Sequence, residues 1–304
     1  MDQPAQRRPR SLAEMGEVQA RLFQPEEFTA SIQAWRPRPT DVVITPFGKC
    51  GTTWLQQIFH CLRTGGDMDF VDISQVVPWI ETAVGLGIDL EAPQRAEPRG
   101  FKSHLAYDRI PKGARYIVAL RDPKDAMVSL YRFMEGWFFE PGSISLADFA
   151  AARLAASDAA SGYWAHLVSW WEQRENPQVL VLSYQQMTAD PQAAIRRVAG
   201  FCGLPLDDAL LALTLERSSI AYMLAHKDRF DDRLMREASE RRGDLPPGGD
   251  SAKVRKGGVG GHRQELSAET AAALDARWAE LVAPRLGYPD YAALEAELRR
   301  GVRA

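Results

Sequence analysis

Short runs of aliphatic and β-branched residues alternate along the chain with longer segments in which apolar residues recur every three or four positions. The short runs predict buried strands, and the longer segments predict amphipathic helices. The predicted strands are residues 41–45, 100–104, 115–120 and 178–182, and the predicted helices are residues 54–64, 123–134, 161–175, 190–202, 206–216 and 267–282. This alternation predicts a single α/β domain in which a central, mostly parallel sheet is flanked by helices.

Composition and charge are those of an ordinary globular protein. The chain has 304 residues, of which 45% are hydrophobic and 25% are charged, and its formal net charge is −3. A general nucleic-acid or membrane-surface binder would carry an excess of basic residues, so a bound anion must be held by a local cluster. Cys50, Cys61 and Cys202 show no CxxC spacing. They indicate neither a disulfide framework nor a zinc site, and they predict a reducing, cytoplasmic setting.

Two segments lack a periodic pattern. Residues 1–20 have no apolar signal-peptide core, so we expect a flexible N-terminus followed by one domain over residues 21–304. Residues 226–263 are charged, then rich in Pro and Gly, then basic, which favours a lid or binding loop over a disordered surface loop. No run approaches the roughly 20 apolar residues of a membrane span, so stable membrane insertion is not expected.

The strongest chemical signal lies between the first predicted strand and the first predicted helix. Glycines, a lysine and two hydroxyl groups occur together in residues 48–53 (GKCGTT). The N–H groups of such a loop can turn toward one point at a helix N-terminus, so the loop is suited to a phosphate. In a Walker A loop the lysine follows the second glycine, whereas here Lys49 precedes Gly51. The loop is therefore P-loop-like without being a nucleoside-triphosphatase motif, and a structural glycine turn is the alternative.

Three further segments carry candidate anion ligands. Arg121 follows the strand 115–120, where open α/β sheets bind ligands, and Ser129 lies two turns along the next helix. Residues 102–104 (KSH) end the short strand, and residues 255–257 (RKG) lie in the long loop. By itself, Arg121 is better explained by an ion pair with Asp122 or Asp125, and the RKG segment is a weak signal because basic surface loops are common.

Together, and in this order, the four segments resemble the motifs of the cytosolic sulfotransferases that use 3′-phosphoadenosine 5′-phosphosulfate (PAPS). Residues 49–54 (KCGTTW) are similar to the family's phosphosulfate loop, and residues 121–129 are similar to its Arg-Asn-Pro-Lys-Asp-x-x-x-Ser motif. Residues 102–104 resemble its Lys-Thr-His motif, and residues 255–257 resemble the Arg-Lys-Gly of its C-terminal lid. The resemblance covers about residues 40–265. It implies sulfuryl transfer from PAPS, with 3′-phosphoadenosine 5′-phosphate (PAP) as the product and no metal.

The resemblance also implies three catalytic residues. His104 would take the proton of the acceptor, Lys49 would stabilise the leaving phosphate, and Lys102 would bind the sulfuryl oxygens. These roles suit in-line transfer of SO₃ to an acceptor oxygen or nitrogen.

The remaining implied residues bind the donor nucleotide. The loop around Gly51 would hold the 5′-phosphate, the Arg121 and lid segments would hold the 3′-phosphate, and three other positions resemble adenine contacts. The donor-binding residues so implied are Lys49, Cys50, Gly51, Thr52, Thr53, Trp54, Arg121, Ser129, Tyr184, Ser218, Arg255, Lys256 and Gly257.

Several positions depart from the family's pattern. Gly48 stands where a proline is usual, and Cys50 replaces a serine, which exchanges a hydroxyl for a thiol. Ile220 stands where an aromatic residue often packs on adenine. Residues 261–263 (GHR) differ from the usual Gly-Asp-Trp-Lys, and the dimerisation motif that follows in many members is not recognisable. The oligomeric state is therefore left open.

The acceptor is predicted only by class. Loops at about residues 75–90, 133–165 and 226–252 are expected to line its pocket, with the side chains of Trp79, Met134, Trp137, Phe138 and Phe139. They suggest a small apolar acceptor, such as a phenol, steroid, alcohol or glycolipid. The alternatives are a P-loop kinase or ATPase and a non-catalytic protein that binds 3′-phosphoadenosine nucleotides.

Overall fold

The computed structural model describes residues 6–251 and 253–301. Four parallel strands form one sheet in the order β2-β1-β3-β4: β1 (Val42–Ile44), β2 (Gly100–Lys102), β3 (Arg115–Leu120) and β4 (Val179–Ser183). Val43 pairs with Phe101 on one side and with Tyr116 on the other. The predicted α/β fold and all four predicted strands are confirmed.

Helices surround this sheet. They are α1 (Leu12–Leu22), α2 (Pro25–Ala34), α3 (Thr52–Thr64), α4 (Ile73–Val76), α5 (Ala83–Leu86), α6 (Pro123–Trp137), α7 (Leu146–Ala155), α8 (Gly162–Trp171), α9 (Tyr184–Ala189), α10 (Pro191–Cys202), α11 (Asp208–Arg217), α12 (Ile220–Ala225), α13 (Arg233–Gly243), α14 (His262–Glu265), α15 (Ala268–Leu281), α16 (Ala283–Leu286) and α17 (Tyr291–Gly301), with 3₁₀ turns at Ile80–Thr82 and Lys227–Phe230.

Alternate residues of each strand enter two different cores. Val42 and Ile44 pack with Leu55 of α3, whereas Val43 belongs to the core that contains Trp170 of α8. Because both faces of the sheet are covered, the sequences of the strands are nearly continuous apolar runs. This explains why the sequence pattern located them.

Local signals also located the six predicted helices, which correspond to α3, α6, α8, α10, α11 and α15. At the start of α6 the Asp122 side chain accepts a hydrogen bond from the N–H of Lys124, and Pro123 occupies the first turn. This cap and proline arrangement is readable from sequence alone because it involves neighbouring residues.

The prediction of a flexible N-terminus over residues 1–20 is wrong where the structure describes that segment. Residues 12–22 form α1, and Met15, Val18 and Leu22 are buried against α13 and its surroundings. Residues 1–5 lie outside the described residues. The helix was missed because its few apolar residues are separated by charged and polar ones, so only its docking partner reveals the apolar stripe.

The prediction that residues 226–263 form one irregular loop is also wrong in part. The segment contains a 3₁₀ turn at Lys227–Phe230 and the helix α13, in which Met235 and Ala238 are buried. The irregular part begins after Gly243 and runs to α14. We call residues 244–251 and 253–261 the C-terminal loop.

Candidate active site

The predicted phosphate loop turns sharply between β1 and α3. Lys49 and Gly51 both have positive φ angles, 68° and 97°, and Gly51 is the N-cap of α3 without a side chain to bond the first turn. A Cβ atom on Gly51 would lie 3.1 Å from the Tyr184 ring, so glycine is required there for space as well as for conformation. The N-terminal N–H groups of α3 are left to face a ligand.

Cys50 contributes its backbone to this loop and not a charged thiolate. Its side chain is buried, and its Sγ lies 3.8 Å from the carbonyl oxygen of Gly48. Burial raises the pKa of the Cys50 thiol to about 12. The thiol is therefore neutral and adds no charge to the site.

Arg121 connects the phosphate loop to the C-terminal loop. Its Nη1 donates to the carbonyl oxygen of Lys49 (2.8 Å), and its Nη2 donates to that of Gly258 (3.1 Å). The guanidinium lies 4.2 Å above the centre of the Tyr184 ring. Its Nε is buried without a hydrogen-bond partner in the described structure. Arg121 thus holds two loops together and retains one free donor.

The C-terminal loop closes over the phosphate loop. The ammonium group of Lys49 lies 3.4 Å from the carbonyl oxygen of Lys253. Asp125 of α6 accepts from the N–H of Gly260 (2.7 Å) and from that of His262 (3.1 Å). Gly257 lies against Ile220, which is 41% exposed. These contacts bring the RKG segment to the ends of the strands without any sequence proximity.

His104 is held in one orientation beside Lys102. Its Nδ1 lies 2.7 Å from the carbonyl oxygen of Pro46, so Nδ1 carries the proton and Nε2 carries a lone pair. Its backbone N–H donates to Oε1 of Glu81 (2.6 Å). Burial, together with the charge of Lys102, lowers the pKa of His104 to about 3. The imidazole is neutral and can accept a proton at Nε2.

The two catalytic lysine candidates share an electrostatic environment. Burial and the neighbouring cations, with Lys253 foremost, lower the pKa of Lys49 to about 7. Burial lowers the pKa of Lys102 to about 8, although Asp232 acts in the opposite direction. The ammonium nitrogen of Lys102 lies 3.5 Å from Oδ1 of Asp232. An anion bound here would raise the pKa values of both lysines.

Aromatic side chains form the apolar walls of the site. The centre of the Trp79 ring lies 5.2 Å from the centre of the His104 ring and 4.0 Å from the ammonium nitrogen of Lys102. The centre of the Phe133 ring lies 4.4 Å from the ammonium nitrogen of Lys49. The pocket prediction is wrong for four other residues, because they are buried in the core beneath α1, α7 and α13. These four are Met134, Trp137, Phe138 and Phe139.

The structure brings most of the predicted donor ligands to one edge of the sheet. Trp54 and Tyr184 make an edge-to-face contact with ring centres 5.8 Å apart. Ser218 is buried at the end of α11 and donates to the Thr214 carbonyl oxygen, while its neighbour Ser219 caps α12. Ser129 is half-buried on α6, and its hydroxyl makes no hydrogen bond to another described residue.

Arg255 and Lys256 occupy different positions in the C-terminal loop. Arg255 lies 3.8 Å from Glu265, which also pairs with Arg132 of α6, one turn after Ser129. Lys256 is exposed. Arg255 is thereby directed toward the helix that carries Ser129.

Sequence reasoning missed two charged residues of this site, Asp232 and Lys253. Both lie in the segment that was expected to be irregular, and neither belongs to a motif. A lysine two residues before the RKG segment was the one available signal. Its partner is 21 positions away, so the pairing is visible only in three dimensions.

Three histidines, of which His60 and His166 are buried and His104 is half-buried, give the protein a predictable acid sensitivity. Burial foremost lowers the pKa values of His60, His104 and His166 to about 3, 3 and 4. Below pH 6.5 the unfolded chain therefore binds protons that the folded chain does not, so the free energy of unfolding falls with decreasing pH, by on the order of 1.4 kcal/mol per pH unit and per histidine. Denaturant titrations at pH 7 and pH 5 measure this.

A His60→Gln variant is the control. Its free energy of unfolding is expected to fall less between pH 7 and pH 5, because one of the three histidines is absent. His60 is fully buried and has no assigned role in the site. Equal unfolding free energies at pH 7 and pH 5 in the unmodified protein would contradict the assignment.

Comparison with known proteins identifies the family. Residues 39–284 match the family model of the sulfotransferase domain. The chain belongs to the sulfotransferase family. Human sulfotransferase 1C2 is 26% identical over 220 residues, which are 68% of this chain and 74% of that protein. Mouse sulfotransferase 1B1 is 30% identical over 204 residues, or 63% and 68% of the two chains. The protein is a sulfotransferase enzyme.

Solved structures have the same fold. A retinol dehydratase crystallised with androsterone and PAP superimposes with a TM-score of 0.68 at 19% identity, covering 90% of this chain and 94% of that one. A mouse sulfotransferase complexed with PAP has a TM-score of 0.65 at 20% identity, covering 85% and 90%. Over residues 6–251 and 253–301, the sulfotransferase has no helix long and apolar enough to cross a bilayer.

Proposed function

We propose that this sulfotransferase moves the sulfuryl group of PAPS to a hydroxyl or amine of a small apolar acceptor, with PAP as the second product. One observation carries the proposal: four cations form a connected group in which Lys102 and Lys253 contact the buried carboxylate of Asp232, Lys49 contacts the backbone of Lys253, and Arg121 contacts the backbone of Lys49. An excess of buried positive charge is costly unless an anion compensates it. A phosphosulfate supplies that anion.

The residues present fit the donor nucleotide. Buried donor atoms of Thr52, Trp54 and Arg121 (Oγ1, Nε1 and Nε) have no hydrogen-bond partner in the described structure. A phosphate between the α3 N-terminus and Arg121 would satisfy such donors. Ile220 and the Tyr184 ring provide apolar surface for adenine, and Arg255, Lys256 and Ser129 would complete the grip on the 3′-phosphate.

The chain's own residues account for the transfer chemistry. PAPS supplies an activated sulfur whose S–O bond to the 5′-phosphate breaks as a bond to the acceptor atom forms. His104 takes the acceptor proton at Nε2, Lys102 binds the sulfuryl oxygens, and Lys49 stabilises the charge left on the phosphate. The anion raises the pKa of His104 above its donor-free value, because it neutralises the neighbouring cations. His104 is thereby suited to hold the proton.

The acceptor class follows from the walls of the site. Trp79 and Phe133 place apolar surface beside His104 and Lys49. Two related proteins have names or titles that refer to apolar or aromatic compounds, namely luciferin sulfotransferase of Photinus pyralis and retinol dehydratase crystallised with androsterone. Phenols, steroids and related alcohols are therefore the acceptors to screen first, with glycolipids next.

Calorimetric titration with PAP and ATP, with and without Mg²⁺, tests the donor assignment. We expect PAP to bind without added metal, and we expect an Arg121→Ala variant to bind it about 10- to 100-fold more weakly, because a charge-assisted contact to phosphate is lost. ATP lacks the 3′-phosphate, so we expect it to bind weakly and to be insensitive to the change.

An Arg299→Ala variant is the matched control, since Arg299 pairs with the nearby Glu295 on α17 and with no other acidic residue that the structure describes. Its PAP affinity is expected to equal that of the unmodified protein. Equal binding of PAP and ATP would refute the proposal and would revive a P-loop kinase or ATPase. Tight PAP binding without transfer to any acceptor of the panel would instead indicate a non-catalytic binding protein.

A further inference from the structure

Asp232 and Lys253 form a buried ion pair that the roles assigned above do not explain. The ammonium nitrogen of Lys253 lies 2.5 Å from Oδ1 of Asp232, and the two side chains are only 7% and 6% exposed. Asp232 follows the 3₁₀ turn at Lys227–Phe230, and Lys253 belongs to the C-terminal loop. The pair therefore joins two segments at the centre of the site.

The same carboxylate oxygen also contacts Lys102. The Lys102 ammonium nitrogen is 3.5 Å from Oδ1 of Asp232, and the Ser74 hydroxyl is 3.5 Å from that oxygen. Because the two ammonium groups share one oxygen, they are neighbours in space. The backbone of Lys253 meanwhile accepts from Lys49. Lys253 consequently lies between the two lysines assigned to the transfer step.

The backbone of Asp232 adopts an unfavourable conformation. Its φ angle of 48° lies in the left-handed region, which is uncommon for a residue other than glycine. Burial alone raises the pKa of Asp232, but Lys102 and Lys253 outweigh burial, so its pKa is well below the ordinary value. The carboxylate is ionised and acts as the anion of the cluster.

A carboxylate that bridges two ammonium groups resembles a sulfuryl group in its charge and in its hydrogen-bond acceptors. Both present several oxygens that carry negative charge, and each can accept from two lysines at once. Among the described residues, Asp232 is the one carboxylate that contacts both Lys102 and Lys253, and the charge of Lys49 acts on it as well, so three lysines share one contacting carboxylate. A second anion can therefore enter without removing the first.

We propose that Lys253 is a further catalytic residue, which binds the sulfuryl oxygens together with Lys102, and that Asp232 is the counter-ion that holds Lys253 in the site before the donor arrives. The inference rests on the proposed function, because it needs PAPS as the donor. It differs from the other assignments in that Lys253 recognises the sulfuryl group and not the nucleotide. PAP lacks that group, so the two nucleotides distinguish the roles.

Calorimetric titrations of a Lys253→Met variant with PAPS and PAP test the proposal. We expect the PAPS affinity to fall about tenfold, as for one charge-assisted contact, while the PAP affinity stays the same. An Asp232→Asn variant is expected to lose part of the preference for PAPS over PAP, because the counter-ion no longer holds Lys253 in the site. A Lys253→Arg variant is expected to regain part of the PAPS preference.

Two lysines of the same region serve as controls. Lys256→Met, in the predicted 3′-phosphate grip, is expected to weaken PAP and PAPS equally, and Lys227→Met, an exposed residue paired with Asp250, is expected to change neither. If Lys253→Met does not fold, the double variant D232N/K253M replaces it, since it leaves no buried carboxylate with a missing partner.

The outcomes distinguish the proposed function from the proposed role of Lys253. If the unmodified protein fails to bind PAP, the proposed function is wrong. If it binds both nucleotides but Lys253→Met, or the double variant, weakens PAP and PAPS by the same factor or weakens neither, only the role of Lys253 is refuted.

Discussion

A His104→Gln variant is expected to transfer the sulfuryl group about 10²- to 10⁴-fold more slowly than the unmodified protein, the range typical of a lost general base. Glutamine can keep the contact to the Pro46 carbonyl oxygen that His104 makes through Nδ1, but it offers no basic nitrogen to the acceptor. The loss is expected in kcat/KM for whichever phenol, steroid or alcohol reacts. PAP affinity is expected to stay unchanged, because His104 is not assigned to the nucleotide.

The pH profile separates a base from a merely structural histidine. In the unmodified protein the rate is expected to fall as acidification protonates His104 in the donor complex, and in His104→Gln that limb is expected to disappear. His226→Gln is the control, since His226 stacks on Tyr222 and its Nδ1 lies 2.9 Å from the Tyr222 carbonyl oxygen. An unchanged rate in His104→Gln would remove the base from the mechanism.

A Lys49→Met variant is expected to lose about 10²- to 10³-fold in transfer rate, comparable to the removal of one preorganised electrostatic donor. Methionine keeps most of the length of the side chain but has no ammonium group for the leaving phosphate or for the Phe133 ring. PAPS turnover with a responsive acceptor measures the effect. Because the left-handed backbone at Lys49 is shared by both proteins, the comparison isolates the ammonium group.

The lowered pKa of Lys49 also predicts that the protein takes up protons when the donor binds. Its pKa is about 7 in the donor-free protein, and that of Lys102 is about 8, so both are partly neutral at pH 8. An anion raises both values, and we expect binding of PAPS at pH 8 to take up on the order of one proton. Calorimetry in two buffers of different ionisation enthalpy measures this number.

Lys49→Met is expected to show a smaller proton uptake than the unmodified protein, and Lys227→Met, which is exposed and remote from the phosphate loop, the same uptake. Proton release, or an uptake that does not depend on Lys49, would contradict the electrostatic picture of the site.

The sequence pattern predicted the sheet well and the helices unevenly. Strand runs such as residues 115–120 are apolar along their whole length because both faces are covered, and the cap at Asp122 depends on adjacent residues. By contrast, α1 and α13 carry a few apolar residues among many charged ones. Each is stabilised by the other and by Trp137 and Phe139 in one shared core, which no single segment reveals.

The same distinction applies to the pocket prediction. Trp79 lies against His104, whereas Trp137 and Phe139, which look equally suitable in sequence, are buried between helices. Apolar side chains are alike in a sequence pattern whether they face a core or a ligand. Only the positions of α1 and α13 decide which of them is covered.

The sequence by itself determined the parallel α/β fold, the phosphate loop with Lys49 and Gly51, and the positions of Lys102, His104 and Arg121 at the ends of strands. These features depend on neighbouring residues or on a strand's carboxyl end. The tertiary structure alone decided that Lys253 and Asp232 meet Lys102, since these residues are far apart in the chain. Their contact depends on how the C-terminal loop closes over the sheet, and local propensities do not encode such long-range electrostatics.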